Sequence, residues 1–299
     1  MPNKQKKSLL SPGHRACAGC GQMIATNAAV NALGPDTIIA NATGCLEVTT
    51  TPYPESAWGM PWIHSLFENA SAVASGIRAA LNQKKDKTTK VVAQGGDGGT
   101  FDIGFGLISG MWERGEDILY ICYDNEAYAN TGVQASGATP WGASTTTTPA
   151  GSGNTIDAIG SHLRKKDMIS IALAHGLPYV AQTTAGFPED IAAKIKKAIQ
   201  VKGPSYIQIL VPCVPGWKIE PAQTIKIGKL AAQTGLYPLL EYENGQLAKV
   251  LKIKKPQTKV EDYLKLQGRF SHLFKNKKNI DQIKYIQELA NQNIEKYGL

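Results

Sequence analysis

Two residues with the chemistry of a cation site, Asp97 and Asn125, each follow an apolar segment of the chain. They lie 28 positions apart (125 minus 97). A carboxylate beside an amide oxygen suits a hard cation such as Mg²⁺, which shares its octahedron with phosphate oxygens. The backbone carbonyl of Ala127, two residues after Asn125, would supply a third protein ligand. The pair therefore predicts a magnesium site that also takes a diphosphate.

Glycines flank Asp97 on both sides, at Gly95, Gly96, Gly98 and Gly99. A turn without side chains lets the backbone approach a ligand closely and presents N–H groups to an anion. A helix that begins directly after the turn adds a favourable dipole. The plainer alternative is that Asp97 caps a helix and Asn125 forms a turn, because these residue types commonly do so.

Four of the five cysteines stand where they would bind a metal or a cluster. Cys17 and Cys20 form a C-x-x-C pair, which in a cytosolic enzyme indicates metal or redox chemistry rather than a structural disulfide. Cys45 and Cys213 each follow a strand-like segment. Four thiolates bind either Zn²⁺ or a [4Fe–4S] cluster, whereas the C-x-x-C pair alone would also suit a redox dithiol.

The neighbours of these cysteines refine the prediction. Gly19 and Gly21 flank Cys20, and we expect their backbone N–H groups to be free to point at cluster sulfurs. The fifth cysteine, Cys122, lies inside the apolar segment ILYICY. It is best explained as a small buried hydrophobic residue, because free cysteine is among the most buried residue types.

The chain alternates between strand-like and helical patterns, which predicts an α/β fold with a doubly wound, mostly parallel sheet and helices on both faces. Predicted strands cover 36–43, 90–96, 117–123, 177–183 and 204–212. Predicted helices cover 64–83, 102–115, 168–176 and 188–200. Such sheets bind ligands at the carboxyl ends of their strands. We therefore expect the magnesium ligands and the four thiols at one edge of the sheet.

A change of pattern after residue 216 divides the chain into a body, 1–216, and a C-terminal extension, 217–299. The extension begins with a predicted hairpin that turns at Asn244 and Gly245 and continues as a basic helical segment. From Lys249 to Leu299 there are 12 Lys and Arg against 5 Asp and Glu. Since no aromatic residues alternate with these basic residues, we expect a solvated or partner-docking surface and no nucleic-acid binding.

Composition narrows the class of protein further. The sequence is 42% hydrophobic and 19% charged, which is typical of an ordinary globular protein. We see no apolar segment long enough for a membrane helix, and no apolar segment follows the basic N-terminus as in a secretory signal. The sequence therefore predicts no membrane association and a cytoplasmic location.

The two sets of residues together resemble a known family. A GDG turn followed by an Asn-containing strand end resembles thiamine diphosphate enzymes. With the cysteines included, the chain resembles the β subunits of 2-oxoacid:ferredoxin oxidoreductases, and among them the pyruvate enzymes (pyruvate synthases) most. The resemblance spans about residues 14–217 and rests on the motifs CAGCG, NATGCLE, TPYPESAW, PWIHSLFENA, GGDGGTFDIG, YDNEAYANTG, HGLPYV and VPCVPGW.

This resemblance implies the roles of individual residues. Asp97, Asn125 and the Ala127 carbonyl would bind the Mg²⁺ of thiamine diphosphate, and Asn130 would act in catalysis near the diphosphate or the thiazolium ring. The implied ligands of a [4Fe–4S] cluster are Cys17, Cys20, Cys45 and Cys213. Further contacts with the cofactor are implied for Gly21, Gln22, Cys45, Gly96, Gly98 and Gly99.

His64, in PWIHSLFENA, is a second catalytic candidate. We expect it at the start of a helix near the carboxyl edge of the sheet, where it would touch the cofactor or the substrate. A buried structural histidine explains the same position equally well.

The reaction implied by the resemblance is the reversible oxidative decarboxylation of pyruvate with coenzyme A to acetyl-CoA and CO₂. Electrons leave singly through the cluster to an external ferredoxin. The body has room for one of the two domains that thiamine enzymes use. An α subunit is therefore expected to supply the pyrimidine-binding domain and its glutamate, a role that we assign to neither Glu47 nor Glu68. A γ subunit and a ferredoxin-like δ subunit complete the implied partners.

Three alternatives remain open at the level of sequence. The substrate would instead be 2-oxoisovalerate or 2-oxoglutarate, which share this chemistry. A non-redox thiamine enzyme, such as a decarboxylase or acetolactate synthase, would need a chain of nearly twice this length and no cysteine set. A zinc-stabilised, non-enzymatic binding protein would use the basic extension on an acidic partner, but it leaves the Asp97–Asn125 pair unexplained.

Overall fold

The structure is a computed structural model, and it describes residues 8–150, 159–255, 257–275 and 279–299. Its centre is an eight-stranded sheet with the order β2-β1-β3-β4-β6-β5-β7-β8. Strands β1 to β6 run parallel to one another, whereas β7 pairs antiparallel with both β5 and β8. The strands are β1 (Thr37–Asn41), β2 (Trp62–His64), β3 (Lys90–Gly96), β4 (Leu119–Asp124), β5 (Tyr179–Thr184), β6 (Ser205–Leu210), β7 (Leu240–Glu243) and β8 (Gln246–Val250).

Helices connect the parallel strands and continue beyond the hairpin. The α-helices are α1 (Gly21–Leu33), α2 (Cys45–Thr50), α3 (Ala70–Gln83), α4 (Phe105–Glu113), α5 (Met168–Ala174), α6 (Pro188–Ala198), α7 (Val214–Trp217), α8 (Thr224–Gln233), α9 (Val260–Leu264) and α10 (Ile280–Tyr297). A π-helix covers Gly98–Ile103, and 3₁₀ helices cover Pro221–Gln223 and Gly268–Phe274. Among the described residues, no helix is both long enough and apolar enough to cross a membrane.

Both faces of the sheet are covered by helices. One face packs against α1 and α6 through a core that includes Val30 and Ile195. The opposite face packs against α3, α4 and α5 through a core that includes Ala74, Met111 and Ile169. This arrangement explains why every residue of the central strands β4, β5 and β6 is buried, since helices cover both of their faces. The predicted α/β fold with a doubly wound, mostly parallel sheet is confirmed.

Helix α6 shows how local sequence signals set an element boundary. Pro188 occupies the first turn, where its missing N–H has no helical partner to lose. Glu189 and Asp190 lie in the same turn, and Lys196 and Lys197 lie in the last turn. These charges oppose the partial charges at each end of the helix dipole. The helix begins at the predicted residue and ends two residues before the predicted boundary.

His64 differs from the prediction. It is the last residue of β2 and pairs in register with Asn41, whereas α3 begins only at Ala70. The prediction of a helix start at His64 is therefore wrong. Because β2 has only three residues and lies at the edge of the sheet, its pairing with β1 rather than any local periodicity determines its structure.

The C-terminal segment is part of the same sheet. The predicted hairpin is present, with its turn at Asn244 and Gly245, and β7 pairs with β5. The helices that follow bury a third apolar core against the loop after β4 and the end of β6. Trp217, Phe270 and Leu273 are among its most buried members. The C-terminal segment thus packs against the end of β6 and the loop after β4, although most of it carries no recognisable sequence motif.

Candidate active site

The three predicted magnesium ligands lie together. Asp97 directly follows β3 and Asn125 directly follows β4, and these neighbouring strands are in register at Gly96 and Tyr123. The backbone N–H of Asn125 donates to Asp97 Oδ1 at 3.2 Å. The parallel pairing of two strands therefore places residues 28 positions apart in direct contact.

The side chain of Asn125 connects the other two candidates. One polar atom of its carboxamide lies 3.0 Å from Asp97 Oδ1 and 2.7 Å from the carbonyl oxygen of Ala127. When the amide nitrogen occupies this position, it donates to both oxygens. Adjacent ligands of an octahedral Mg²⁺ with bonds of about 2.1 Å lie about 3 Å apart. With the amide oxygen at this position instead, Asn125 would lie at a ligand-to-ligand separation that Mg²⁺ accepts from both Asp97 and the Ala127 carbonyl.

Burial makes Asp97 a strong candidate for a cation ligand. Burial raises the pKa of the Asp97 carboxyl well above its usual value, and the charge of Asp124 adds to this rise. The Ser136 hydroxyl, which donates to Asp97 Oδ2 at 2.5 Å, and the charge of Lys165 act in the opposite direction. A divalent cation at the carboxylate would offset the same cost. The oxygen donors and the burial of this site fit Mg²⁺.

The glycines of the turn have different surroundings. A Cβ on Gly96 would meet nothing closer than 4.0 Å, so the backbone there is open to a ligand, as predicted. A Cβ on Gly98 would lie 2.3 Å from the ring of Tyr128, and one on Gly99 would lie 3.0 Å from the Phe67 carbonyl. These two glycines are therefore needed for close packing within the protein as well as for any approach by a diphosphate.

The cysteines follow the same edge of the sheet. Cys17 and Cys20 immediately precede α1, and Cys45 is the first residue of α2, shortly after β1 ends. Cys213 follows β6 and precedes α7. Cys122 is fully buried inside β4, as predicted. The edge that holds Asp97 therefore also holds the loops that bear Cys45 and Cys213.

The loops that bear the Cys17–Cys20 pair and Cys213 are in direct contact, because the N–H of Gly21 donates to the carbonyl of Pro212 at 3.2 Å. Burial raises the pKa of Cys45 to about 12, and the charges of the other three thiols, then that of Asp97, add to the rise. Burial also raises the pKa of Cys213 to about 11, with contributions from Cys20 and Cys17. Within the described part of the chain, however, no three His, Cys, Asp or Glu side chains already form a closed metal-binding group. The loops that bear the four thiols therefore lie in one region, but the thiols do not form a single coordination sphere in this structure.

A backbone N–H group is hydrogen-bonded to the sulfur of Cys213. Gly216 N donates to Cys213 Sγ at 3.4 Å. Burial raises the pKa of Cys20, but hydrogen bonds from the backbone N–H groups of Met23 and Gln22 act against this rise. Such donors stabilise thiolates, so four clustered thiols with N–H donors are a donor set that suits an iron–sulfur cluster.

Gly21 contradicts one expectation. Its N–H donates to the Pro212 carbonyl at 3.2 Å, so it is not free to point at a sulfur. A Cβ on Gly21 would lie 2.7 Å from the same oxygen, and one on Gly19 would lie 2.5 Å from the Pro221 carbonyl. The prediction of free N–H groups is wrong for Gly21. The glycines instead allow the Cys17–Cys20 loop to pack against the segments around Cys213.

The remaining candidates are His64, Asn130 and Gln22, and they differ in their surroundings. His64 is exposed, and its Nε2 lies 2.7 Å from Thr43 Oγ1 and 3.9 Å from Glu47 Oε2. It is therefore not a buried structural histidine. Asn130 is exposed in the tight turn that joins the bridged residues Tyr128 and Gln134. Gln22 is buried in the first turn of α1, beside Cys20.

Sequence reasoning missed a buried charge network behind the magnesium ligands. Lys165 Nζ lies 2.5 Å from Asp124 Oδ2 and 2.8 Å from Glu126 Oε1, and Arg269 Nη2 lies 2.6 Å from Glu126 Oε2. Burial disfavours the Glu126 carboxylate, but the charges of Lys165 and Arg269 outweigh it, so the pKa of Glu126 lies below its usual value. The only sequence signal was the run YDNEA, with acids on both sides of Asn125.

Comparison with known proteins bears on this site. Residues 42–209 match the family model "Thiamine pyrophosphate enzyme, C-terminal TPP binding domain". The pyruvate synthase subunit PorB of Methanosarcina barkeri is 50% identical over 301 residues, which is 100% of both chains. The ketoisovalerate oxidoreductase subunit VorB of Pyrococcus abyssi is 42% identical, over 92% of this chain and 91% of that protein.

A solved structure supports the fold alone. The 2-oxoglutarate:ferredoxin oxidoreductase from Magnetococcus marinus is 21% identical, with a TM-score of 0.59 over 93% of this chain and 95% of that one. The family model covers Asp97 and Asn125, and the full-length relatives extend the match to the cysteines outside it. The chain therefore belongs to the thiamine pyrophosphate enzymes and, among them, to the 2-oxoacid oxidoreductase family that contains the pyruvate synthase subunits PorB.

Proposed function

We propose that this chain is the thiamine diphosphate- and cluster-binding β subunit of a pyruvate:ferredoxin oxidoreductase. With its partners it converts pyruvate and coenzyme A to acetyl-CoA and CO₂, releasing one proton and two electrons, and it also works in reverse. The observation that carries this proposal is the gathering of the Asp97–Asn125–Ala127 oxygens and four thiols at one edge of the sheet. The identity to a pyruvate synthase subunit favours pyruvate as the substrate.

Asp97, Asn125 and the Ala127 carbonyl would hold Mg²⁺, and the open backbone at Gly96 would lie against the diphosphate. When bound, thiamine diphosphate supplies an electron sink for the decarboxylation. The chain's own residues bind and orient it. His64, with Thr43 and Glu47, forms a polar group on the rim that would contact the substrate or the partner subunit.

Cys17, Cys20, Cys45 and Cys213 would hold a [4Fe–4S] cluster. The reaction needs a one-electron acceptor near the thiamine, because its two electrons must pass singly to ferredoxin. Cys45 follows β1 and Asp97 follows β3, and these strands are parallel neighbours, which supports a short distance between the two centres. A zinc site would use the same ligands but would have no role in this electron transfer.

The cofactor site would be completed by an α subunit that brings the pyrimidine-binding domain. Large apolar side chains lie exposed beside His64, and such a patch commonly marks a protein interface. Val48, Ile63 and Leu66 are 46%, 46% and 65% exposed. We propose that the α subunit covers this patch, and that γ and ferredoxin-like δ subunits take the electrons onward.

The substrate is tested by the reduction of a viologen dye by the assembled complex under anaerobic conditions. Pyruvate with coenzyme A is expected to give the highest kcat/KM, and omission of coenzyme A should remove most turnover. The similarity to a ketoisovalerate oxidoreductase subunit makes 2-oxoisovalerate the second candidate, and 2-oxoglutarate the third. A higher kcat/KM for either would replace pyruvate, and no 2-oxoacid-dependent reduction would refute the proposed function.

A further inference from the structure

Glu126 lies between two proposed magnesium ligands, Asn125 and Ala127, and has an unusual backbone conformation. Its φ is +64°, in the left-handed region that costs about 1 kcal/mol or more for a residue with a side chain. This conformation turns the chain between the side chain of Asn125 and the carbonyl of Ala127. The site geometry therefore depends on whatever keeps Glu126 in the left-handed region.

Three groups hold Glu126 from the protein interior. Lys165 and Arg269 bind its two carboxylate oxygens, at 2.8 and 2.6 Å. The Thr139 hydroxyl donates to its backbone carbonyl at 2.8 Å. Glu126 and Arg269 are 5% and 3% exposed, so neither charge can exchange its partner for bulk water. The buried ion pair thus strongly favours one conformation of the loop.

Arg269 also supports the Asn125–Ala127 loop indirectly, through Trp217. Its guanidinium lies over the indole of Trp217, at 3.8 Å from the ring centroid. Trp217 Nε1 donates to the backbone carbonyl of Asn125 at 2.7 Å. Arg269 Nε also donates to Gln267 Oε1 at 3.0 Å, which fixes the plane of the guanidinium. One residue of the C-terminal segment therefore supports the loop at both Asn125 and Glu126.

We propose that Arg269 is a positioning residue for the magnesium–diphosphate site. It holds Glu126 directly and Asn125 through Trp217, and so sets the spacing of the oxygens that would bind Mg²⁺. The C-terminal extension is then a structural component of the cofactor site. This inference rests on the proposed function, because it assigns Arg269 a role towards the same cation.

The test uses Arg269→Met in the assembled complex after removal of its cofactor. Binding of thiamine diphosphate is measured by calorimetry at a series of Mg²⁺ concentrations. Residues behind metal ligands typically change metal affinity by about 10- to 100-fold, and we expect a loss of that size in the Mg²⁺ half-saturation. A role in stability alone would lower Tm without changing the Mg²⁺ half-saturation, so this half-saturation is the measurement that identifies a positioning role. Arg269→Lys should recover part of the affinity, because it retains the charge without the planar fork.

A matched control separates positioning from stability. Lys194 is 3% exposed and pairs with Asp190 within α6, and its contacts do not include the Asn125–Ala127 loop. Lys194→Met therefore also removes one partner of a buried ion pair. It should lower Tm, as Arg269→Met does, but leave the Mg²⁺ half-saturation unchanged.

Equal Mg²⁺ half-saturation in Arg269→Met and the unchanged complex would overturn the proposal. If Arg269→Met does not fold, Trp217→Phe decides: it keeps an aromatic ring near Arg269 but removes the N–H that donates to Asn125. It should weaken Mg²⁺-dependent binding by about threefold to tenfold, and no weakening would also overturn the proposal. Failure of the unchanged complex to bind thiamine diphosphate would instead refute the proposed function, and this inference with it.

Discussion

Asp97→Asn is expected to abolish retention of thiamine diphosphate by the assembled complex, while its iron content stays unchanged. The substitution removes the only carboxylate among the three proposed ligands. Since changes behind metal ligands alone cost about 10- to 100-fold in affinity, loss of the charged ligand should cost more than about 100-fold. Calorimetry with Mg²⁺ and thiamine diphosphate, together with iron analysis, measures both effects.

The Asp97→Asn substitution also separates an effect on cofactor binding from an effect on folding. It has the shape of aspartate and can accept hydrogen bonds from the Asn125 N–H or the Ser136 hydroxyl, which both donate to Asp97. Because burial disfavours the charge of Asp97, the Tm of the cofactor-free variant should be no lower than that of the unchanged complex. Magnesium-dependent binding within tenfold of the unchanged complex would rule out Asp97 as a ligand.

Cys213→Ala is expected to remove most of the iron and the brown absorbance from the anaerobically purified complex, and with them 2-oxoacid-dependent viologen reduction. The unchanged complex should contain about four iron atoms for each copy of this chain's cluster, in addition to the iron of its partner subunits. The reason is that Cys213 is one of the four proposed cluster ligands and lies after β6, at the edge of the sheet that also bears Cys45.

Cys122→Ala is the matched control for Cys213→Ala. Cys122 is equally a free cysteine, but it is fully buried inside β4. Its truncation leaves a small cavity and should lower Tm without loss of iron. Equal iron content in the two variants would contradict the assignment of Cys213. Stoichiometric zinc on this chain, with no iron, would favour the zinc-stabilised alternative.

The positions of Asp97 and Asn125 follow from sequence because each directly succeeds an apolar strand. In a parallel sheet, strand ends that are joined by a helical crossover lie side by side. The same reasoning placed Cys45 and Cys213 at that edge. Their placement requires only that each residue follows a strand of one parallel sheet, and apolar patterns indicate where such strands end.

Other features depend on contacts that local patterns do not encode. Strand β2 is too short to show an alternation of apolar and polar residues, so the sequence around His64 predicts a helix instead. The N–H of Gly21 donates to the carbonyl of Pro212, nearly two hundred positions away, and no local pattern predicts that hydrogen bond. Glu126 and Arg269 are 143 positions apart, and no spacing rule marks such an ion pair.

The support that Arg269 gives to the Asn125–Ala127 loop has a consequence for biosynthesis. Chains begin to fold from the N-terminus while they emerge from the ribosome. Cys17 and Cys20 are then made before Arg269, which follows every strand of the sheet, since β8 ends at Val250. The loop therefore reaches its final shape only after Arg269 has been made, and we expect the vitamin-derived cofactor to load after that point.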